Sequence, residues 1–287
     1  MRSHQAQATC VGSSADGDQH GWAAHLHLEF HKYPGKTVLA SSFRKGPLAV
    51  QRAFYPEGDL CHVYLLHPPG GVAGGDTLEI HAKVAEGASA LVTTPGAAKF
   101  YRTVGPMACQ HQILHADAGT LEWLPQENIL FPGAKVQLNT VIELTGGASF
   151  IGWEINCLGR PAVAERFEAG SAVFNFRLQR DGQPLLLERI IVTGESDLSS
   201  PAGLRGKPVF GMLCATLADK TLLEDIREKI PLAHRHELGV TLVDGLLIAR
   251  YLGDSTEVAR LLFYALWKIL RPAVLQRAPC APRIWKT

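Results

Sequence analysis

From Trp22 the chain alternates with a period of two: Trp22, Ala24, Leu26, Leu28 and Phe30 are apolar, and His25, His27 and Glu29 sit between them. Successive side chains of an extended strand point to opposite faces, so this spelling buries one face and leaves the other in water. The alternation recurs at Leu78-Glu79-Ile80-His81-Ala82-Lys83-Val84 and around Val136 to Leu144, and β-branched runs lie near Ser149 to Ile155 and Leu185 to Thr193. Turn clusters separate these runs: Pro56-Glu57-Gly58-Asp59, Pro68-Pro69-Gly70-Gly71, Gly146-Gly147 and Asp181-Gly182. Such a chain must bring many half-buried strands together, and the pattern reads as a β meander over roughly the first two thirds.

Helical spellings appear only late. Thr221-Leu222-Leu223-Glu224 has the form of a capping box, followed by Leu222, Ile226 and Ile230 at helical spacing and stopped by Pro231. A second helix opens at Asp254-Ser255-Thr256-Glu257, carries Val258, Leu261, Leu262, Ala265, Leu266 and Ile269 on one side, and is expected to end before Pro272. Phe263, Tyr264 and Trp267 widen its apolar surface, so cover from the sheet and from a partner subunit is expected. The expectation is therefore a mainly β, many-stranded protein with two α-helices near the C-terminus. A flexible segment over 1–21 precedes a single domain over 22–287, β-rich over 22–218 and helix-containing over 219–287.

Charge narrows the partners. Lys plus Arg number 28 against 27 Asp plus Glu, a net charge of +1, which supplies no general field for a nucleic-acid backbone or an anionic membrane. The first twenty residues contain no apolar run of the length that a secretory signal or membrane span needs. Cys10, Cys61, Cys109, Cys157, Cys214 and Cys280 lie far apart without a CxxC pair, a distribution that suits reduced thiols and a cytoplasmic location.

The most unusual stretch is His67-Pro68-Pro69-Gly70-Gly71-Val72-Ala73-Gly74-Gly75-Asp76. A phosphate-binding loop would follow its last glycine with Lys and Ser or Thr, whereas Asp76-Thr77 places a negative charge there. Two readings remain: a tight turn between strands, or a loop presenting Asp76 as an oxygen ligand or proton acceptor. Thr93 to Arg102 joins a turn to Lys99, Arg102, Phe100 and Tyr101, a set that fits an anionic group or ordinary surface cations with packed stems. In Leu121-Glu122-Trp123-Leu124-Pro125-Gln126-Glu127, alternation puts Glu122 and Trp123 on opposite faces, and Glu127 is either a buried acid or a solvated loop carboxylate. Cys157 lacks an adjacent positioned base and reads as a structural thiol. His25 with His27, and His234 with His236, share strand faces but offer too few local ligands for a stable metal site. GxSxG, HExxH and dinucleotide fingerprints are absent from the sequence. A metal-dependent hydrolase would require Asp76, His67 and Glu127 to converge on one ion.

Taken in order, the blocks HPPGGVAGGD, TTPGAAKFYR, LEWLPQENILF, GWEINCLGRPA and the closing LRP and PRIWKT resemble the UreD (UreH) family of urease accessory proteins from Trp22 to Thr287. The resemblance implies an elongated two-layer or solenoid-like β protein that is not an enzyme. It implies binding to apo-urease, UreF and the GTPase UreG, in a dimeric assembly formed through UreF, so that nickel enters a lysine-carbamate site during GTP hydrolysis. No tightly bound cofactor is expected, only nickel in transit. Isolated carboxylates pass a divalent cation where a full set of His and Cys ligands would trap it, which singles out Asp76, Glu127 and Glu154. The family's contact with UreF corresponds here to the last helix and tail, with Leu261, Tyr264, Trp267, Ile284 and Trp285 as candidate anchors. The alternative is that the tail docks on its own sheet.

Overall fold

A computed structural model describes residues 21–217 and 219–286. The expected flexible segment over 1–21, apart from Gly21, lies outside the described residues. Strands β1 (Ala23–Tyr33) and β2 (Lys36–Lys45) form an antiparallel hairpin. In β1 the inward residues Ala24, Leu26, Leu28 and Phe30 are buried and the histidines between them face outward, while Trp22 stands exposed before the strand. The two-residue β3 (Ala49–Val50) and the buried β4 (Cys61–Leu66) follow. The chain then passes through β5 (Thr77–Val84), β6 (Ser89–Thr93), β7 (Ala98–Phe100), β8 (Ala108–Asp117), β9 (Thr120–Leu124), β10 (Asn128–Leu130), β11 (Lys135–Thr145) and β12 (Ser149–Arg160). After β13 (Glu165–Arg166) come β14 (Ser171–Arg180), β15 (Gln183–Val192), α1 (Glu195–Ser199), β16 (Val209–Thr216) and α2 (Lys220–Lys229). Strands β17 (Leu238–Val243) and β18 (Leu246–Gly253) lead to α3 (Thr256–Leu275).

Two sheets result. One has seven strands in the order β15-β14-β11-β8-β5-β1-β2, and its β1, β5, β8, β11 and β14 run parallel. The other has eleven, with the path β17-β18-β16-β12-β9-β6-β4-β3, parallel from β4 to β12 and antiparallel from β12 to β17. This corrects the meander. From β4 to β14 the long strands fall alternately in opposite sheets, and spatial neighbours run parallel. A period of two reports that one face is buried and carries no information about the direction of the neighbouring strand. Residues beyond 219 add β17 and β18 to the larger sheet as well as helices.

The inner faces meet through Leu26, Phe30, Val84, Leu114 and Ile142 on one side and Val63, Val92, Phe150 and Leu158 on the other. The helices make a third layer: Phe263, Leu266 and Trp267 of α3 pack with Trp153, Ile155, Leu213 and Ala249 on the outer face of the larger sheet. Three α-helices are present among the described residues where two were expected, the addition being the five-residue α1. At α2 the cap is Asp219, whose Oδ1 accepts from the N–H of Thr221 at 2.9 Å and Leu222 at 3.1 Å, so the helix starts before the expected box. Helix α3 is capped by Ser255 and continues through Pro272 to Leu275, closing with Gln276 in the left-handed region. One proline removes one backbone donor, and burial of Leu270 and Arg271 beside it holds the turn together. The buried face of α3 is Ala259, Leu262, Phe263, Leu266, Trp267 and Leu270, rotated from the expected stripe so that Leu261 and Ala265 face outward.

Candidate functional site

The space between the sheets is not uniformly apolar. Gln110 and Gln112 on β8, Thr140 on β11, and Glu154 and Asn156 on β12 point inward among Leu114, Ile142, Phe150 and Leu158, because each shares its strand's period-two face with those residues. Thr140 Oγ1 donates to a Glu154 carboxylate oxygen across the sheets and lies 3.4 Å from Gln112 Oε1. Asn128 Nδ2 donates to Asn156 Oδ1 at 2.9 Å. A cavity of about 330 Å³ opens beside this patch, lined by Glu154, Gln110, Gln112, Trp123, Asn128 and His67 among others. A second recess of about 540 Å³, bordered by Asn156, Phe174, Phe176, Glu188 and Arg250, meets Glu154 from the other side. The carboxyl is surrounded by protein yet touches cavity space in both directions. Burial pushes it up to about 7, reinforced by the charge of Glu188 and opposed by the Thr140 hydrogen bond. Trp123 contributes a buried indole Nε1 that has no hydrogen-bond partner among the described residues.

At one edge of the 330 Å³ cavity sits the glycine-rich loop. Val72 N–H donates to Lys99 O at 2.7 Å and Tyr101 N–H to Val72 O at 2.9 Å, which zips the loop onto the segment at β7. Gly71 presses on the Tyr101 ring, where a Cβ would stand 2.2 Å from Cε2 and push the ring aside, and Gly75 adopts φ +89°, a conformation that strains any other residue. Asp76 is buried and holds the loop shut: Oδ1 accepts from Trp22 N–H and Oδ2 from Ala73 N–H, each at 2.8 Å. Burial lowers His67 from the ordinary imidazole value, against the opposing charge of Asp76. Lys99 and Arg102 are exposed, and the Arg102 stem lies over Gly133.

Glu127 sits elsewhere, against α3. Its Oε2 is buried without a hydrogen-bond partner and lies 3.7 Å from Arg260 Nη1. Neighbouring Cys157 is buried, and its thiol is pushed up to about 12 by burial and then by the Glu127 charge, which makes it a poor nucleophile. Asp76, Glu127 and Glu154 are thus spread over a loop, a helix-facing edge and the inter-sheet core. Among the described residues the trio whose ligand atoms converge is instead His27, Glu79 and His81, so Asp76, His67 and Glu127 do not form the centre a metal-dependent hydrolase would need.

The proposed anchors divide. Trp267 is wholly buried and donates through Nε1 to Glu122 Oε2 at 2.7 Å, so its ring is committed to the protein's own core. Leu261 is 58% exposed. Tyr264, Ile284 and Trp285 are half-buried. A groove of about 250 Å³ runs between Leu261, Tyr264, Arg260, Trp153 and Trp285. Trp285 docks on its own chain, donating to Thr93 Oγ1 at 2.9 Å and packing 5.5 Å from the Trp153 ring.

A network the residue pattern did not reveal lies beneath α3. Glu122 faces the helix and Trp123 the inter-sheet core, as alternation required. The wholly buried Arg271 donates to both oxygens of Glu122 and, through Nη1 and Nη2, to Glu57 at 2.8 and 2.7 Å. His62 meets Glu57 at 2.8 Å. Burial would raise Glu57, but the His62 and Arg271 contacts overcome it and hold the carboxyl at about 2. Burial raises Glu122 against the opposing Arg271 and Trp267, while the groups that touch its oxygens are N–H donors, the environment of a carboxylate.

The geometry defines a three-layer β scaffold with an enclosed polar interior, an ion network clamping a C-terminal helix, and an outward groove on that helix. A family model for the UreD urease accessory proteins matches residues 23–286. The chain is 48% identical over 281 residues to the urease accessory protein UreD of Alcanivorax borkumensis, with 96% of each chain covered. It is 46% identical to that of Dechloromonas aromatica, covering 93% of this chain and 95% of the other. Against the Klebsiella aerogenes protein of the same name the identity is 43%, covering 93% and 97%. This chain belongs to the UreD family of urease accessory proteins.

Proposed function

We propose that the protein serves in urease maturation as a non-catalytic scaffold that joins apo-urease to UreF and the GTPase UreG and gives Ni²⁺ a protected route between them. The observation that carries the reading is Glu154, an inter-sheet carboxyl bordering two cavities and raised to about 7. At neutral pH such a group exchanges its proton for a divalent cation, and a single carboxylate with amide and hydroxyl neighbours holds that ion weakly enough to release it. Glu127, whose buried Oε2 accepts no hydrogen bond among the described residues and is ion-paired with Arg260 at 3.7 Å, offers a further stop near α3 once Arg260 swings away. Asp76 acts on the route by shaping the loop beside the cavity, since both of its oxygens are taken. The groove at Leu261, Tyr264 and Trp285 is the surface offered to UreF, through which two such assemblies pair.

The test is co-expression of the chain with UreF, UreG and a cognate apo-urease, followed by urease activity and bound nickel after supplying Ni²⁺, bicarbonate and GTP. Glu154→Ala is expected to lower both by about tenfold or more while the complex still assembles. Normal nickel content in urease activated through that variant would overturn the passage.

A further inference from the structure

The outer face of the seven-stranded sheet presents a grid of metal-ligating side chains. Parallel pairing of β1 with β5 sets His25 opposite Glu79 and His27 opposite His81. The next strand, β8, places His111 opposite Glu79. Glu79 receives His81 Nε2 on Oε1, and its Oε2 lies 3.2 Å from His25 Nδ1. The His27 ring stacks on His81 with centroids 4.3 Å apart and planes 7° from parallel. One ligand atom from each of His27, Glu79 and His81 lies within 4.8 Å of the others. Donors around an ion at about 2.1 Å each sit roughly 3 to 3.4 Å apart, so modest side-chain rotation closes the set. His25, His27, Glu79 and His81 stand on two adjacent strands and are partly exposed (His25 33%, Glu79 32%, His81 30%), which leaves water access on the outer side.

On the neighbouring strand, His111 Nδ1 faces Asn139 Nδ2 at 3.0 Å. The Asn139 carbonyl oxygen accepts from Asn175 Nδ2 at 2.7 Å, which orients the amide as a donor toward His111 and leaves that ring's proton on Nε2. Glu79 already presents both carboxylate oxygens to imidazole nitrogens, Oε1 to His81 Nε2 and Oε2 to His25 Nδ1, so an anionic ligand group stands within the histidine cluster. Imidazoles with one carboxylate select borderline divalent ions over Mg²⁺ or Ca²⁺.

We infer that His27, Glu79 and His81, with His25 as a fourth donor, form a site for one divalent first-row transition-metal ion on the outside of the sheet. The ion binds the unprotonated nitrogen of each ring, so a neutral imidazole keeps its one N–H on the other nitrogen and only an imidazolium gives a proton to solvent. This site goes beyond the passage proposed above, since its residues are on the opposite face of the sheet from Gln112 and Thr140.

The test is equilibrium dialysis of the full-length chain without a histidine tag against NiCl₂, and separately ZnCl₂, at pH 7.5, with X-ray absorption on the bound ion. One equivalent with imidazole scattering is expected, and His27→Ala/His81→Ala should weaken it by about tenfold or more. Glu79→Gln, which keeps the shape of the side chain, is read the same way if the double variant melts early. Glu154→Gln should leave this equivalent in place while impairing urease activation, which separates the two readings. Unchanged binding in both surface variants, an ion without imidazole ligands, or loss of the equivalent in Glu154→Gln would each overturn the site.

Discussion

A carboxyl group in an apolar layer must either find donors or hold its proton, and Glu154 does some of each. It accepts from Thr140 and is otherwise raised from 4.5 to about 7 by burial first and Glu188 second. Below pH 4.5 the group is protonated in both folded and unfolded chains and costs nothing. Between pH 4.5 and about 7 the unfolded chain gives up this proton while the folded one keeps it, so stability falls across that window by up to about 3 kcal/mol from this group alone. Glu154→Gln removes the titration. The variant is expected to gain on the wild type between pH 5 and pH 8 in urea unfolding, and an equal difference at both pH values would show that the group is solvated. The same substitution would therefore stabilise the fold while impairing activation, the trade expected where a strained group serves function.

Helix α3 shows how an element whose intrinsic preferences are mixed is held by one side chain. Its turn at Pro272 loses a backbone hydrogen bond, and Arg271 next to it is inserted between Glu57 and Glu122. The pairing joins residues 149 positions apart, so it depends on the larger sheet having formed. Arg271→Met would leave two carboxylates without their cation, one of them fully buried, at a cost of about 3 to 5 kcal/mol. Adding Glu122→Gln should return part of that loss, because the second change removes the charge left stranded by the first. Thermal and urea denaturation of the single and double variants measure both. Strict additivity would mean that the two side chains do not act as a unit.

At the scale of the molecule, the two sheets separate an outer histidine face from a helix-covered face, with the polar cavity between them. The proposed docking of UreF uses the helical side. Deleting 282–287 would remove Trp285 but also uncover Trp153, so loss of UreF from that variant mixes docking with damage. Leu261→Asp is cleaner: the residue is 58% exposed and borders the groove. Co-purification with UreF is expected to fall by about tenfold, roughly 1.4 kcal/mol, with an unchanged melting temperature. Full retention of UreF would move the contact elsewhere.

The sequence alone determined the strands with one buried face, the opposed orientations of Glu122 and Trp123, and the existence of two late helices. Each of these depends on side chains a few residues apart, where the periods of strand and helix act directly. The ordered blocks from HPPGGVAGGD to PRIWKT also carried the family, which the relatives now establish. Only the tertiary structure decided that β1 lies parallel to β5, and with it that His27 meets His81 and Glu79. It alone placed Glu154 between two cavities, buried Trp267, and turned Leu261 outward. Alternation identifies a strand's two faces but not its neighbours, and a carboxylate's role depends on those neighbours. They come from parts of the chain as distant as Glu57 and Arg271, brought together by packing of the sheets and helix.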